Sequence, residues 1–300
     1  MKSRPVHHTA LIAAAAGVTG VMGAAGLAWV GLSTQAAGAT RHIEEAAVHA
    51  AIDAGLIPPD GADAQRVPPP PGDGVLLASG PTDDRSIEPG LTLAMIGDST
   101  AVGYGTSRSA DLPGVLLARG LAALTGDPVR LLTVGVVGAE SVHLDDQVTA
   151  ALQQRPDIAV IVIGANDITA KVAPTRAAAQ LGAAVRRLRA AQVEVVVATC
   201  PDFGVIAPIP QPLRAVLTRW SRGLAAAQAR AVRAAGGTPV AMAQLVSPFF
   251  RGKPDLFFAD GFHPSAAGYR TAVGALLPAV ATAATRIRLD RVAAQPGLSG

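Results

Sequence analysis

The chain has 300 residues, of which 50% are hydrophobic and 16% are charged, which is enough apolar material for one large buried core or two small ones. Its formal net charge of +3 is small, and no basic run carries interleaved aromatic residues, which argues against a nucleic-acid-binding surface. The single cysteine, Cys200, excludes an internal disulfide and a cysteine-rich metal site.

The N-terminus contains a long uncharged stretch. Basic residues precede it, and residues 9–35 carry no charged side chain. A helix over Thr9 to Leu32 would reach about 36 Å, which is sufficient for a bilayer core of about 30 Å. We therefore predict a cytoplasmic tip and membrane signal-anchor over residues 1–36, with the rest of the chain on the outer side. The alternative is a cleaved signal peptide and a secreted protein, since Ala37-Gly38-Ala39 would serve as a cleavage site.

Residues 37–89 are predicted to connect this anchor to a folded domain. Apolar residues recur at helical spacing from Arg41 to Ala54, which is typical of a short amphipathic helix. Proline and glycine dominate from Pro58 to Pro89, with few large apolar side chains. Such a composition does not offset the entropy of folding into a core. The segment is therefore predicted to be an extended linker that holds the domain off the membrane.

Beyond residue 90, short β-branched runs alternate with longer helical segments, a pattern typical of parallel βαβ units. The predicted strands cover 91–96, 129–137, 158–163, 193–199 and 239–244. The predicted helices cover 114–124, 142–154, 175–191 and 213–235, and a last helix starts at about Ser265. We expect a folded α/β domain over 90–284 with a doubly wound sheet of five parallel strands, followed by a tail at 285–300.

Small and polar residues follow the carboxyl ends of the predicted strands. Gly97-Asp98-Ser99 follow the first strand, Gly138 the second and Gly164-Ala165-Asn166-Asp167 the third. Asp260-Gly261-Phe262-His263-Pro264 directly precede the last helix. Because ligands of open α/β sheets bind at this edge, these residues are expected to converge on one site.

Ser99, His263 and Asp260 carry the functional groups that acyl transfer requires. Histidine is a base suited to take the proton of an attacking hydroxyl, and a carboxylate holds its other ring nitrogen. The oxyanion needs donors fixed in advance, for which the backbone N–H groups of Ser99 and Gly138 and the side-chain amide of Asn166 are candidates. For each residue taken alone, a structural role in a turn is the alternative.

As a set, these four motifs resemble the SGNH or GDSL hydrolase superfamily over about residues 91 to 282, and the N-terminal segment resembles its actinobacterial branch. The resemblance implies a flavodoxin-like three-layer α/β/α fold and ester hydrolysis without a metal or organic cofactor. Two features depart from related patterns. Thr133 stands where the family often has an asparagine, and no Gly-x-Ser-x-Gly motif surrounds Ser99, which excludes the nucleophile elbow of the α/β-hydrolases.

The predicted function is therefore that of a membrane-anchored, outward-facing serine esterase or lipase acting on short- to medium-chain acyl esters. The alternatives are an O-acyltransferase or deacetylase acting on cell-envelope glycans, and a non-catalytic envelope-binding module. Phe203, Ile206 and Phe262 are predicted to bind the acyl group, with simple packing of the rim as the alternative. Further apolar residues expected around them are Val246, Phe249, Phe250, Phe257 and Phe258.

Four other residues are given structural roles. Asp98 and Asp167 are predicted to tie loops together as Asx turns do, and Ser141 to cap the helix that follows it. Cys200 is predicted to be a buried thiol, the commoner state of a lone cysteine.

Overall fold

The computed structural model describes residues 31–43, 45–46, 49, 72–84 and 86–294. Most of the predicted membrane segment and much of the predicted linker therefore lie outside the described residues.

A seven-stranded sheet forms the centre of the domain, in the order β2-β1-β4-β3-β5-β6-β7. The strands are β1 (Gly74–Leu77), β2 (Gly80–Thr82), β3 (Leu91–Gly97), β4 (Val129–Thr133), β5 (Ile158–Val162), β6 (Glu194–Ala198) and β7 (Thr238–Val240). The five strands from β4 to β7 in this order run parallel, whereas β1 pairs antiparallel with both β4 and β2. The predicted α/β fold is confirmed, and the sheet is mostly parallel.

The predicted strand count of five was wrong, because the hairpin β1–β2 extends the sheet at the β4 edge. This hairpin comes from the segment predicted as linker, where a short apolar run is hidden among prolines and glycines. Leu76 of that run is 1% exposed and lies opposite Val129 of β4. Pro81 lies in β2, the outermost strand, where a missing backbone N–H costs no ladder hydrogen bond.

The helices are α1 (31–43), α2 (Ser99–Val102), α3 (Pro113–Thr125), α4 (Leu144–Gln153), α5 (Ala165–Thr169), α6 (Pro174–Ala190), α7 (Leu213–Ala234), α8 (Met242–Leu245), α9 (Ser247–Phe250) and α10 (Ala266–Ala293). The last turn of the predicted membrane segment and the start of the predicted amphipathic helix thus belong to one helix, α1.

The helices cover both faces of the sheet, which gives the predicted three layers. Leu93 and Met95 of β3 pack in one core cluster with α3 and α10, whereas Ala94 and Ile96 pack in a second cluster with α4, α6 and α7. The alternation follows from the two-residue period of a strand, and both sets are apolar because both faces are buried.

One helix among the described residues, α10, is long and apolar enough to cross a membrane. Its Val273, Leu276 and Val280 are buried in the first core cluster, together with side chains of α3 and of the sheet. The apolar character of α10 is therefore used in the core of the domain.

Candidate active site

The turn after β3 places a serine at the carboxyl edge of the sheet. Gly97 has φ +137°, and a Cβ at this position would lie 1.8 Å from the carbonyl oxygen of Val162 in β5, so only glycine fits. Asp98 caps α2, because its carboxylate accepts a hydrogen bond from Thr100 N at 2.9 Å. Ser99 is then the first residue of α2. This local sequence fixes where the Ser99 hydroxyl points.

A hydrogen-bonded chain runs from this serine to a buried carboxylate. Ser99 Oγ lies 3.0 Å from His263 Nε2, and His263 Nδ1 lies 2.6 Å from Asp260 Oδ2. The second oxygen, Asp260 Oδ1, accepts from Phe262 N at 2.8 Å and from His263 N at 2.9 Å. The structure thus brings together the three residues that the sequence predicted for this chemistry.

The loop that carries His263 is closed on itself. Phe258 N donates to His263 O at 2.7 Å, and Gly261 N donates to Phe258 O at 2.9 Å. Gly261 has φ +65°, the left-handed conformation that glycine adopts without strain. Ser265 then caps α10 through Gly268 N. The three-residue spacing of Asp260 and His263 is therefore a tight turn in which both side chains point the same way.

Aromatic rings enclose the histidine. The Tyr104 ring centroid lies 4.6 Å from that of His263, and the Phe262 centroid lies 5.1 Å from it. Tyr104 follows α2 in a loop, and nothing in its sequence surroundings indicated this position. The two rings fix the plane of the imidazole and shield it from water.

Two of the three predicted oxyanion donors, Gly138 and Asn166, lie on neighbouring segments that are hydrogen-bonded to each other. Asn166 Nδ2 donates to the carbonyl of Ala139 at 2.9 Å, and Gly138 directly precedes Ala139 with φ +80°. The Asp167 carboxylate accepts from Ser141 N and, at 2.8 Å, from Ser141 Oγ.

Two predicted roles need correction. Asp167 is structural and ties two segments together through a backbone bond, as predicted, but its partner is Ser141, 26 residues away, and not a neighbouring residue as in an Asx turn. Ser141 does not cap α4, because its hydroxyl is taken by Asp167 and a short 3-10 turn, Ser141–His143, precedes α4. Asp98 does cap locally, as predicted.

Two buried glutamines that the sequence did not predict as part of the site hold the strand ends in place. Gln147 Oε1 accepts from Gly97 N at 2.8 Å, and Gln147 Nε2 donates to Gly97 O at 3.0 Å. Gln228 accepts from Cys200 N at 2.7 Å and donates to Ile163 O at 3.0 Å, which joins the ends of β5 and β6. The available signal was a glutamine on the apolar stripe of each helix.

An apolar cavity opens beside the histidine. It encloses about 820 Å³ including its open mouth. The structure places Phe203, Ile206 and Phe262 in its wall, as the sequence predicted. Other wall residues include His263, Val246, Phe250 and Phe257. Phe249 is 63% exposed and Phe258 packs against Tyr104, so neither belongs to this wall.

Burial changes the titration of two groups near the cavity. Burial raises the pKa of Asp98 to about 6, against the lowering effects of the Thr100 hydrogen bond and of His263. Burial also raises the pKa of the Cys200 thiol far above its usual range, and nearby carboxylates add to this. Cys200 is fully buried, so the prediction of a buried thiol is confirmed.

Within the described part of the chain, no cluster of three or more histidine, cysteine, aspartate or glutamate side chains is arranged to hold a metal ion. The site instead presents a hydroxyl, a base and a carboxylate in hydrogen-bonded sequence, next to an apolar cavity. Such an arrangement is suited to nucleophilic acyl transfer. The parallel sheet and the residues at its carboxyl edge define the class of the protein, an SGNH-type hydrolase.

Comparison with known proteins gives the family. Residues 95–271 match the model of the GDSL-like Lipase/Acylhydrolase family. The GDSL-like esterase Rv1075c of Mycobacterium tuberculosis is 46% identical over 238 residues, which cover 76% of this chain and 76% of that protein. This chain belongs to the GDSL-like lipase/acylhydrolase family, and it is an esterase.

Solved structures share the fold at lower identity. TesA is 21% identical with a TM-score of 0.53, covering 64% of this chain and 99% of its own. LAE5, an α/β hydrolase from the metagenome of Lake Arreo, is 20% identical with a TM-score of 0.52, covering 64% and 96%. A variant of Axe2, an acetyl xylan esterase from Geobacillus stearothermophilus, is 19% identical with a TM-score of 0.50, covering 64% and 95%. At these identities, the similarity shows a shared fold.

Proposed function

We propose that this protein hydrolyses carboxylic esters with Ser99 as the nucleophile, His263 as the general base and Asp260 as the partner that orients the histidine. The observation that carries the proposal is the continuous hydrogen-bonded chain from Ser99 Oγ through His263 to the buried carboxylate of Asp260.

The reaction proceeds in two halves. Ser99 Oγ attacks the ester carbonyl carbon while His263 Nε2 takes the hydroxyl proton, and Asp260 stabilises the resulting imidazolium. When the tetrahedral intermediate collapses, the C–O bond to the alcohol breaks and His263 protonates the departing oxygen. A water molecule then attacks the acyl-serine carbonyl while His263 takes its proton. The bond to Ser99 Oγ breaks, His263 returns the proton to Ser99, and the carboxylic acid is released.

Three donors are proposed to stabilise the oxyanion. Ser99 lies in the first turn of α2, where backbone N–H groups have no partner within the helix. Gly138 N and Asn166 Nδ2 complete the set. A primary amide has two hydrogens, and the Asn166 amide gives one of them to Ala139 O. The second is proposed to meet the oxyanion, so that the Ala139 contact aims the donor.

The apolar cavity is proposed to bind the acyl group. Its wall consists mainly of aromatic and aliphatic side chains, among them Phe203, Ile206 and Phe262. Each methylene buried there contributes about 0.8 kcal/mol, which favours chains longer than acetyl. We therefore propose short- to medium-chain acyl esters as substrates.

The site is proposed to work outside the membrane. The uncharged stretch at residues 9–35 follows basic residues, which favours a cytoplasmic N-terminus and an extracytoplasmic catalytic domain. If the stretch is cleaved, the same domain is secreted.

The test is labelling of the full chain with a fluorophosphonate, which forms a covalent bond only with an activated serine. We expect stoichiometric labelling of the wild type and none of Ser99→Ala, together with loss of p-nitrophenyl butyrate hydrolysis. Ser107→Ala is the matched control, because Ser107 is exposed in the same region. Persistent labelling of Ser99→Ala would refute the assignment.

A further inference from the structure

We propose that the carboxyl edge of this domain rests on a lipid bilayer and that the site takes its ester from that bilayer, an inference that rests on the proposed function for the identity of the site. We call the surface that would contact the bilayer the lipid-facing edge. It comprises the loops and helix starts that follow β4, β6 and β7, together with α1. Three observations on the molecule support it.

The first observation is the distribution of exposed apolar side chains in the described part of the chain. Six large ones lie after carboxyl ends of parallel strands, on the same edge as the site: Val136, Val137, Val142, Val216, Leu245 and Phe249. Three others, Leu124, Leu289 and Val292, lie near the ends of α3 and α10. Arg291 of α10 bonds the carbonyl of Gly90, which directly precedes β3, so the end of α10 is at the opposite edge. The exposed apolar surface is therefore concentrated around the mouth of the site.

The second observation is the position of α1. Leu32 and Ala36 pack against a buried cluster that contains Phe203, and Phe262 packs against the same cluster. Both phenylalanines also line the cavity. A polar contact fixes this packing at the start of α7. Gln35 Nε2 donates to Gln211 O at 3.0 Å, and Leu213 N donates to Gln35 Oε1 at 3.2 Å. Helix α1 therefore lies across the edge that holds the site.

The third observation is the sequence that enters α1. Residues 9–30 lie outside the described residues, and they contain no charged side chain. They run directly into Gly31, the first described residue of α1. A membrane-inserted segment that ends there leaves no spacer between the bilayer and the edge on which α1 packs.

This placement changes the interpretation of the predicted linker. Residues 50–71 connect α1 to β1, and both of these elements pack on the same domain. The segment therefore connects two elements of one domain, and in this proposal it need not separate the domain from the membrane. Under this proposal the bilayer contacts the domain directly.

The composition of the α9 region suits an interface. Exposed Phe249 is followed by exposed Arg251 and Lys253, with Asp255 as the acidic residue of the same segment. Aromatic and basic side chains together are typical of surfaces that lie at the headgroup level of a membrane. A bilayer containing phosphatidylglycerol is therefore the fitting partner.

The test measures contact with lipid directly. Because Cys200 is buried, a cysteine introduced at an exposed position is the selective site for a thiol-reactive fluorophore. Leu245→Cys marks the lipid-facing edge, and Leu289→Cys is the matched control, since these leucines are 52% and 63% exposed at opposite edges. The labelled full chain is reconstituted in vesicles of phosphatidylcholine and phosphatidylglycerol, with and without brominated acyl chains.

We expect bromine to quench the fluorophore at position 245 by about half or more and to leave the fluorophore at 289 nearly unchanged, since only a group within the headgroup and acyl boundary meets the brominated chain. Equal quenching at both positions, or none at 245, would overturn the proposal. Quenching requires no turnover, so this result is independent of the proposed esterase function.

A second measurement links the surface to the reaction. Leu245→Asp is expected to slow hydrolysis of a fluorogenic oleate ester embedded in the vesicles by about fivefold or more, and to leave hydrolysis of water-soluble p-nitrophenyl acetate within about twofold, because a charge weakens interfacial contact. Leu289→Asp should change neither rate. Equal effects of the two variants on the embedded ester would refute membrane supply of the substrate. If the wild type hydrolyses neither the embedded oleate ester nor p-nitrophenyl acetate, the proposed esterase function is instead refuted.

Discussion

The side-chain amide of Gln147 pairs with both backbone groups of Gly97, two residues before the serine of the site. The amide oxygen accepts from Gly97 N at 2.8 Å and the amide nitrogen donates to Gly97 O at 3.0 Å. Gly97 is also held against β5, where no side chain fits. The end of β3 is thus fixed from α4 on one side and from β5 on the other. This arrangement positions Ser99 before any substrate binds.

Replacing Gln147 by leucine is expected to lower both stability and turnover. The Gly97 N–H loses its partner, at about 1 to 3 kcal/mol. Gly97 O loses one of two donors and keeps the hydrogen bond from Val136 N at 2.9 Å. The nucleophile loses its support as well, so kcat should fall by about tenfold or more at temperatures where the variant remains folded. Urea unfolding and single-turnover kinetics measure the two effects. Gln153→Leu, on the exposed face of the same helix, should change neither.

Replacing Asp260 by asparagine tests the triad. The amide presents an N–H where the carboxylate accepts from His263, which favours the wrong tautomer of the imidazole. Turnover of p-nitrophenyl butyrate is expected to fall by about 10⁴-fold. Asp255→Asn is the control, since Asp255 is an exposed acidic residue close by in the chain. A loss of less than tenfold in Asp260→Asn would contradict the assigned role.

Replacing Asn166 by alanine tests the oxyanion donors. Because the donor acts on charge that develops in the transition state, kcat should fall by about 100- to 1,000-fold while KM changes little. The lost contact to Ala139 O also costs about 1 kcal/mol of stability, which thermal unfolding would show. A rise in KM at constant kcat would show that Asn166 binds the ground state and the transition state equally, and would contradict its role as an oxyanion donor.

Replacing Asp98 by asparagine changes how stability depends on pH. The pKa of Asp98 is raised from 3.8 to about 6 in the folded protein, mainly by burial. The folded state therefore holds this proton more tightly than the unfolded state does. The favourable contribution of the protonated form is fully present below about pH 4, and it is lost as pH rises through about 6.

Asparagine keeps the cap on Thr100 N but does not titrate. Between pH 4 and pH 8 the stability of Asp98→Asn should therefore rise relative to wild type by up to about 3 kcal/mol. Urea midpoints of both proteins at the two pH values give this difference, in which contributions of the other groups cancel. A difference that is flat across the window, or that has the opposite sign, would contradict the raised pKa.

Filling the cavity is expected to shift the chain-length profile. Val246→Trp places a large ring in the cavity wall, and so should slow octanoate hydrolysis about tenfold, equivalent to about 1.4 kcal/mol. The acetate ester needs little of this volume, so its rate should stay within about twofold of wild type, as small ligands bury few methylenes. Val292→Trp, at an exposed position near the end of α10, is the control. Parallel loss on both esters would indicate that the cavity does not hold the acyl chain.

The local parts of the site could be predicted because their conformations are set by neighbouring residues. Gly97-Asp98-Ser99 carries its own turn, in which the glycine permits the close approach and the aspartate caps the helix. Asp260 and His263 are three residues apart, so a single tight turn brings their side chains together. The parallel topology then placed the two motifs at one edge, since all five predicted strands run in the same direction.

The sequence by itself therefore determined the three-layer α/β domain, the nucleophile turn and the acid–base loop, because short-range conformation and hydrophobic periodicity act along the chain. Only the tertiary structure decided the contacts between distant segments. Gln147 and Gly97 are 50 residues apart, and Gln35 and Leu213 are 178 apart. The same holds for β1, where three apolar residues form a strand that pairs with the otherwise unpaired edge of β4. Such contacts depend on which surfaces pack together after folding, and the sequence around one residue does not specify its distant partner.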